Sequence, residues 1–334
     1  MPHPQQIANR PAEHDPPDCL VVMYHYVRPT GPPGPMALPA LPLDDFETQL
    51  DRLAASRKII SAETYLDYLA GRADLPPQTA LLTFDDGLID HARYVFPALQ
   101  RRGLSGAFFV QTDPIENRRM EAAHMNHLLL SALDFDELVT RFESALNQHA
   151  PGRKLADFFS RDQALSLYHY ESEPRAMYKY ALAFGLPFDL RDRILTELFR
   201  RCFGDPADVA RRFYPTWDQL AEMQAAGMHL GGHSHRHEVY PRLTPAQQAH
   251  DARTCWDLLS ERLGRKPRAF AYPYGRYDAN TVAAVRSAGF AAAMTTVSRT
   301  NIGRVPPYQI ARVDCIHLEP FLPKAQTGET HART

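Results

Sequence analysis

Asp85 and Asp86 stand side by side at the end of an apolar run, Ala80, Leu81, Leu82, Thr83 and Phe84, and are followed by Gly87. Far downstream, His233 and His237 lie four apart, directly after Gly231 and Gly232. Together these residue types can make a one-metal hydrolase site. A buried strand that ends in Asp, Asp, Gly brings its charges to the rim of a sheet, where α/β barrels place their active sites. Two imidazoles four apart point to one side in either a strand or a helical turn. With one carboxylate they supply the three protein ligands of an open catalytic centre, leaving a position for water, and the other carboxylate is free to be a base. Each piece alone has a plainer meaning. An Asp pair before Gly is a turn signal, and a chain with 15 histidines clusters some of them by chance. The joint occurrence at two strand ends is the specific signal.

The chain that must position these groups has 334 residues, 44% hydrophobic and 23% charged, enough for one large α/β domain or a domain with an insertion. A net charge of -2 gives no reason to expect nucleic acid or an anionic membrane as a partner. Cys19, Cys202, Cys255 and Cys315 are far apart without paired spacing. They read as reduced thiols of a cytosolic protein and not as a zinc knuckle or a disulfide framework. Met1 to Pro17 is rich in Pro, Gln and charge and has no apolar core, so we expect no signal peptide or membrane span, a disordered tail and a cytoplasmic location.

Past that tail, apolar strands alternate with capped helices. Leu20 to His25 predicts a strand, and Asp44 with Glu47 a capping box that opens a helix through about Ser56. Ser61 to Ala70 predicts a second helix, closed by Gly71. After the strand at Ala80 to Phe84 come a helix from His91 to Arg102 and a strand from Gly106 to Gln111. The same grammar returns at Thr216 with Gln219, at Met228 to Gly232, and at Thr244, Pro245 and Gln247, which open a long helix stopped by Gly264. Strands at Ala269 to Tyr272, near Ala291 to Thr295 and near Gln309 to Val313 complete the series, with a helix from Asn280 to Ala288 among them. This alternation implies a parallel sheet, closed or nearly closed into a barrel.

Residues 112–212 break the pattern. Met120 to Leu146 and Arg191 to Phe203 carry apolar residues at helical spacing, and Tyr168, Tyr170, Tyr178 and Tyr180 cluster between them. We expect a helical cap packed on the barrel by those aromatics, with an oligomer interface as the other use of such a surface. The expected organisation is therefore a tail at 1–18, one discontinuous barrel domain at 19–111 and 213–318, an insertion or cap at 112–212, and a C-terminal tail at 319–334.

Thr83 to Gly87, then His233, Ser234 and His237, then Tyr272, Pro273, Tyr274 and Gly275 resemble the ordered motifs of the polysaccharide deacetylase superfamily, the NodB-homology domain of carbohydrate esterase family 4. The resemblance covers about Leu20 to Gln111 and Pro215 to His317. It implies a distorted (β/α) barrel that removes an N-acetyl group from an amino-sugar-containing substrate with one divalent metal. By position, Asp86, His233 and His237 would hold the metal and Asp85 would be the general base. The Tyr274 amide would help to stabilise the oxyanion. Zinc suits the donor set, and cobalt, nickel or iron is also accepted by it.

Two places depart from the family pattern. The late His motif that serves many members as general acid has only a weak counterpart in His317, whereas Met23 to Val27 resembles a branch in which a His after the first strand is the acid. His25 is thus the expected acid and His317 the runner-up. The Arg that often precedes the Pro, Tyr, Gly turn is replaced by Ala271, and Arg312 resembles a late motif able to pair with Asp85 in its stead. Without a signal peptide, the expected substrate is an N-acylated sugar within the cell: an oligosaccharide, or a lipid-linked or nucleotide-linked sugar. Related barrels cut other C–N bonds, so a sugar deformylase or small cyclic amide hydrolase is the alternative, and a non-catalytic carbohydrate-binding protein a third reading.

Overall fold

The computed structural model describes residues 16–31 and 37–322. Most of the two expected tails, 1–15 and 323–334, lies outside the described residues. Asp18, assigned above to the N-terminal tail, instead opens the first strand and pairs with Arg57 at 2.5 Å. At the other end Glu319 is held by Arg52 at 2.8 Å, and Leu322 is buried.

In chain order the strands are β1 (Asp18–Tyr24), β2 (Val27–Arg28), β3 (Leu41–Pro42), β4 (Lys58–Ile59), β5 (Thr79–Phe84) and β6 (Ala107–Val110), then β7 (His229–Gly232), β8 (Ala269–Ala271), β9 (Ala292–Met294), β10 (Asn301–Ile302) and β11 (Val313–Asp314). β2 and β3 form a small separate pair. The others form one curled sheet in the order β10, β1, β5, β6, β7, β8, β9, with β4 added beside β5 and β11 beside β1. Only the β1–β10 pairing is antiparallel. The seam is a single short segment: Ile310 bridges Met294 of β9, and Val313 pairs with Val22 of β1. The result is a distorted (β/α) barrel.

Alternation along the strands explains why β1 and β5 read as unbroken apolar runs: both of their faces are covered. Cys19, Val21, Leu81, Phe109, Ala271 and Met294 face the barrel interior, which Tyr65 and Leu66 of helix Ala62–Leu69 help to fill. Leu20, Val22, Leu82, Phe84, Phe108 and Phe270 face outward into a second cluster shared with the surrounding helices. Each such large side chain removed from water contributes roughly 1.5–3 kcal/mol.

The capping boxes at Thr216 with Gln219 and at Thr244 with Gln247 both form, and Gly264 ends its helix in the left-handed conformation at φ 65°. The box expected at Asp44 does not. The helix there starts at Leu43 after Pro42, with no side-chain cap, and Glu47 binds Arg101 and Arg102 instead. The helix expected from His91 begins with a wider, π-type turn over His91–Val95 before Phe96–Arg101. The expected strand at Gln309 to Val313 is reduced to the Ile310 bridge and the two residues of β11.

Between β6 and β7, helices dominate. The apolar pattern of Met120 to Leu146 is split into Ala122–Ala132 and Phe135–His149 at an extended Leu133, and helix Phe188–Phe203 packs on both. Their core residues, including Leu129, Phe142 and Leu195, belong to the same cluster as the outer face of the barrel. The four tyrosines do not act as a common glue. Tyr178 is buried between Phe135 and Phe142 within the insertion, Tyr168 lines the central cavity, and Tyr170 is 69% exposed.

Candidate metal centre and active site

β5 delivers Asp85 and Asp86 to the C-terminal rim of the barrel, both buried. Asp86 takes the left-handed φ of 76° so that the two carboxylates diverge. Gly87 follows at φ 59°, where an added Cβ would come within 2.8 Å of the Val110 side chain. Arg312 lies on the seam segment and grips Asp85 with both arms at 2.7 Å, while its Nε donates to the Thr295 carbonyl at 2.9 Å. Burial would raise the Asp85 carboxyl, but the Arg312 charge and hydrogen bonds together with His233 and His25 offset it and hold the pKa below the usual range. Arg312 thus pairs with Asp85, the partner that its place in the sequence made available.

β7 reaches the same rim through Gly231, where a Cβ would strike the Phe109 ring and the Ala269 carbonyl at 2.7 Å. The following turn is strained: Ser234 has φ 69° and His237 φ 56°. Such conformations cost about 1–3 kcal/mol each and persist where surrounding structure imposes them. Here Ser234 Oγ accepts from the His237 amide at 2.6 Å, and Asp251 accepts from the amides of His235 and Arg236 at 2.9 and 3.0 Å.

The His233 Nδ1 donates to the Ala271 carbonyl at 2.8 Å, leaving its Nε2 lone pair free. The Nε2 atoms of His233 and His237 are 3.2 Å apart, and both lie near Asp86 Oδ1, at 3.4 and 3.5 Å. Asp86, His233 and His237 thus bring one ligand atom each within 4.8 Å of one another. A carboxylate oxygen and two imidazole nitrogens converging in a buried spot fit a divalent cation. Although burial opposes it, the surrounding imidazoles of His124, His233 and His237 hold the Asp86 carboxyl well below the usual range.

His25, just past β1, and Tyr274 line the same cavity of about 600 Å³, and His25 is half-buried there. The His25 carbonyl is fixed by His91 Nε2 at 2.9 Å. Tyr274 has φ 56° and sets its ring 5.0 Å from that of His237. His317 is different. It sits exposed in the short turn Cys315–His317 and is absent from the cavity lining, so the runner-up acid is not brought to the site.

Several residues at the centre escaped the sequence reading. Gln111 donates to Asp86 Oδ1 at 3.0 Å. From the insertion come His124, with Nε2 at 3.4 Å from Asp86 Oδ2, and Glu121, with Oε1 at 3.5 Å from His237 Nδ1. The insertion also walls the cavity with Tyr168, Lys179, Phe184 and Leu195. Glu121 and His124 share only a three-residue spacing inside a helical pattern, which does not announce a distant partner.

Comparison with known proteins finds similarity in both sequence and fold. The family model described as Polysaccharide deacetylase matches residues 200–293, a span that holds His233, His237 and Tyr272 to Gly275. Three solved structures share the fold. IcaB from Ammonifex degensii is 22% identical with a TM-score of 0.55, covering 90% of this chain and 91% of its own. The Streptococcus pyogenes deacetylase PplD, in complex with acetate, is 16% identical with a TM-score of 0.54, covering 90% and 92%. The BpsB deacetylase domain from Bordetella bronchiseptica is 19% identical with a TM-score of 0.52, covering 91% and 98%. No curated protein sequence matches the chain. The family model thus supports the resemblance to polysaccharide deacetylases over residues 200–293, and the solved structures support the barrel fold.

Proposed function

We propose that the protein is a metal-dependent hydrolase that removes an N-acetyl group from an amino-sugar-containing substrate. The observation that carries this reading is the convergence of Asp86, His233 and His237 beside a second carboxylate, Asp85, locked by Arg312, in one cavity. A divalent cation held there would polarise the amide carbonyl and lower the pKa of water from 15.7 to about 7. Zinc is the metal proposed; cobalt, nickel and iron suit the same donors.

Asp85, kept ionised by Arg312, takes a proton from the attacking water as its oxygen bonds to the acetyl carbon. The oxyanion that forms accepts a hydrogen bond from the Tyr274 backbone amide. His25 gives a proton to the departing nitrogen as the C–N bond breaks, so acetate and a free amino sugar leave. The cavity volume and the insertion wall suit a single sugar unit or a chain end, lipid-linked or nucleotide-linked. They suit a formylated sugar or small cyclic amide equally in size, which makes hydrolysis of another C–N bond the second reading. The free thiols Cys19, Cys202, Cys255 and Cys315 support a reducing, cytoplasmic location as part of the proposal.

Metal content and acetate or formate release from a panel of N-acylated sugars, nucleotide sugars and cyclic amides test the reading. Asp85→Asn should lower turnover by about 10²- to 10⁴-fold and keep its metal, whereas His233→Ala should lose metal and turnover together. Normal turnover in Asp85→Asn would overturn the assignment, and formate or ureide products alone would move the protein to the second reading.

A further inference from the structure

We propose that Glu121 and His124, which belong to the insertion, are positioning residues for two of the three metal ligands: Glu121 orients His237, and His124 orients Asp86. This rests on the metal-centre reading and deepens it, because it makes the insertion part of the centre.

The ligands differ in what aims them. His233 is fixed by the barrel itself, through the Ala271 carbonyl at 2.8 Å from its Nδ1. His237 has no such backbone partner: its Nδ1 is buried without a hydrogen bond and faces the Glu121 carboxylate, Oε1 lying 3.5 Å away. A proton on that Nδ1 leaves the Nε2 lone pair pointing to the centre, the carboxylate–imidazole arrangement that orients metal-binding histidines. Glu121 is only 7% exposed, and among the described residues its ion-pair partners are His124 and His237. A carboxylate buried without Lys or Arg needs those imidazoles as its counterpart.

The proton inventory around His124 points the same way. The Tyr214 hydroxyl accepts from the Glu121 amide at 3.1 Å and lies 2.7 Å from His124 Nδ1. With its one proton given to Nδ1, His124 carries its own proton on Nε2, which faces Asp86 Oδ2 at 3.4 Å. Oδ2 is thereby held from the insertion side, and Oδ1 is turned toward His233 and His237. His124 is 1% exposed, so water does not compete for either ring nitrogen.

The test measures zinc affinity of the full-length chain by chelator competition and the visible spectrum of the cobalt-loaded protein. The melting temperature without metal is recorded alongside. Glu121→Gln keeps an oxygen to cap the His124 amide but removes the carboxylate charge; His124→Ala removes the donor; His124→Gln restores an amide donor near the Nε2 position. Glu121→Gln and His124→Ala should each weaken zinc by about 10- to 100-fold and shift the cobalt bands, with the metal-free melting temperature near that of the wild type. His124→Gln should recover most of the affinity. Wild-type affinity in Glu121→Gln and His124→Ala overturns the proposal, as does a lowered metal-free melting temperature with unchanged affinity. His124→Gln as weak as His124→Ala overturns the positioning role in favour of direct ligation. A wild-type chain that takes up no metal overturns the metal-centre reading itself, and this inference with it.

Discussion

Arg312 and Arg191 each grip a buried carboxylate with both arms, one inside the barrel and one where the insertion meets it, and the two grips differ in kind. Arg312 serves one carboxylate, Asp85, at 2.7 Å on each arm and across 227 residues of sequence, and its remaining contacts are with the uncharged Thr295 carbonyl and Thr83 hydroxyl. Arg191, on helix Phe188–Phe203, holds Glu238 at 2.8 and 3.1 Å but also donates from Nε and Nη2 to Asp192. The carboxylates respond oppositely. Asp85 is held below the usual range, whereas burial pushes Glu238 up to about 7, an effect that the shared Arg191 only partly offsets. A fork given to a single carboxylate keeps that group charged and aimed. A shared fork fastens one layer to another.

The contrast is broken most directly at Arg312. Arg312→Met should reduce turnover by about 10²- to 10⁴-fold while metal binding persists, because the base loses both charge and alignment. Arg312→Lys should recover only part of it, since an ammonium cannot reproduce the two-armed contact. Steady-state kinetics with metal analysis of both variants measures this.

Arg191→Met should act on stability first. Leaving Glu238 buried and unpaired costs about 3–5 kcal/mol, seen in denaturant unfolding and as faster proteolysis within residues 112–212. If Arg191→Met slows turnover as much as Arg312→Met, with no loss of stability, the division of labour between the two forks is wrong.

The smallest effect comes from His91, which joins the end of β1 to the turn after β5. Burial lowers its pKa from 6.5 to about 4. The unfolded chain takes up a proton below pH 6.5 that the folded chain refuses until about 4. Its contribution is therefore present above pH 6.5 and lost as the pH falls toward 4, on the order of 3 kcal/mol at most. His91→Gln should flatten the acid limb of the melting-temperature profile. An unchanged limb would mean that His91 is protonated in the fold.

The barrel half of the site was legible because its residues end strands or sit in tight turns. Asp85, Asp86, His233, His237, His25 and Tyr274 each follow an apolar run within a few residues, so strand grammar and motif order locate them. Arg312 could be placed on the last strand segment, yet its choice of Asp85 depends on how the sheet curls. Glu121, His124 and Asp251 were invisible for a related reason: their partners are fixed by the docking of one layer on another, which no local spacing encodes. Local signals also misled where tertiary pairing overrode them. Asp44 had the right spacing for a cap, but the β2–β3 pair at Leu41 and Pro42 starts the helix two residues earlier than that cap requires.

The seam at 310–314 sets an order in time as well as in space. Chains begin to fold from the N-terminus while they are being made, and the strands that carry Asp85, Asp86, His233 and His237 all leave the ribosome before Arg312. Until that residue emerges, Asp85 has no guanidinium to hold it charged and the sheet has no segment between β9 and β1. On the proposed mechanism the base is armed by the same few residues that complete the ring, so an interrupted chain would gather its ligand residues early yet stay chemically silent until synthesis has passed this point.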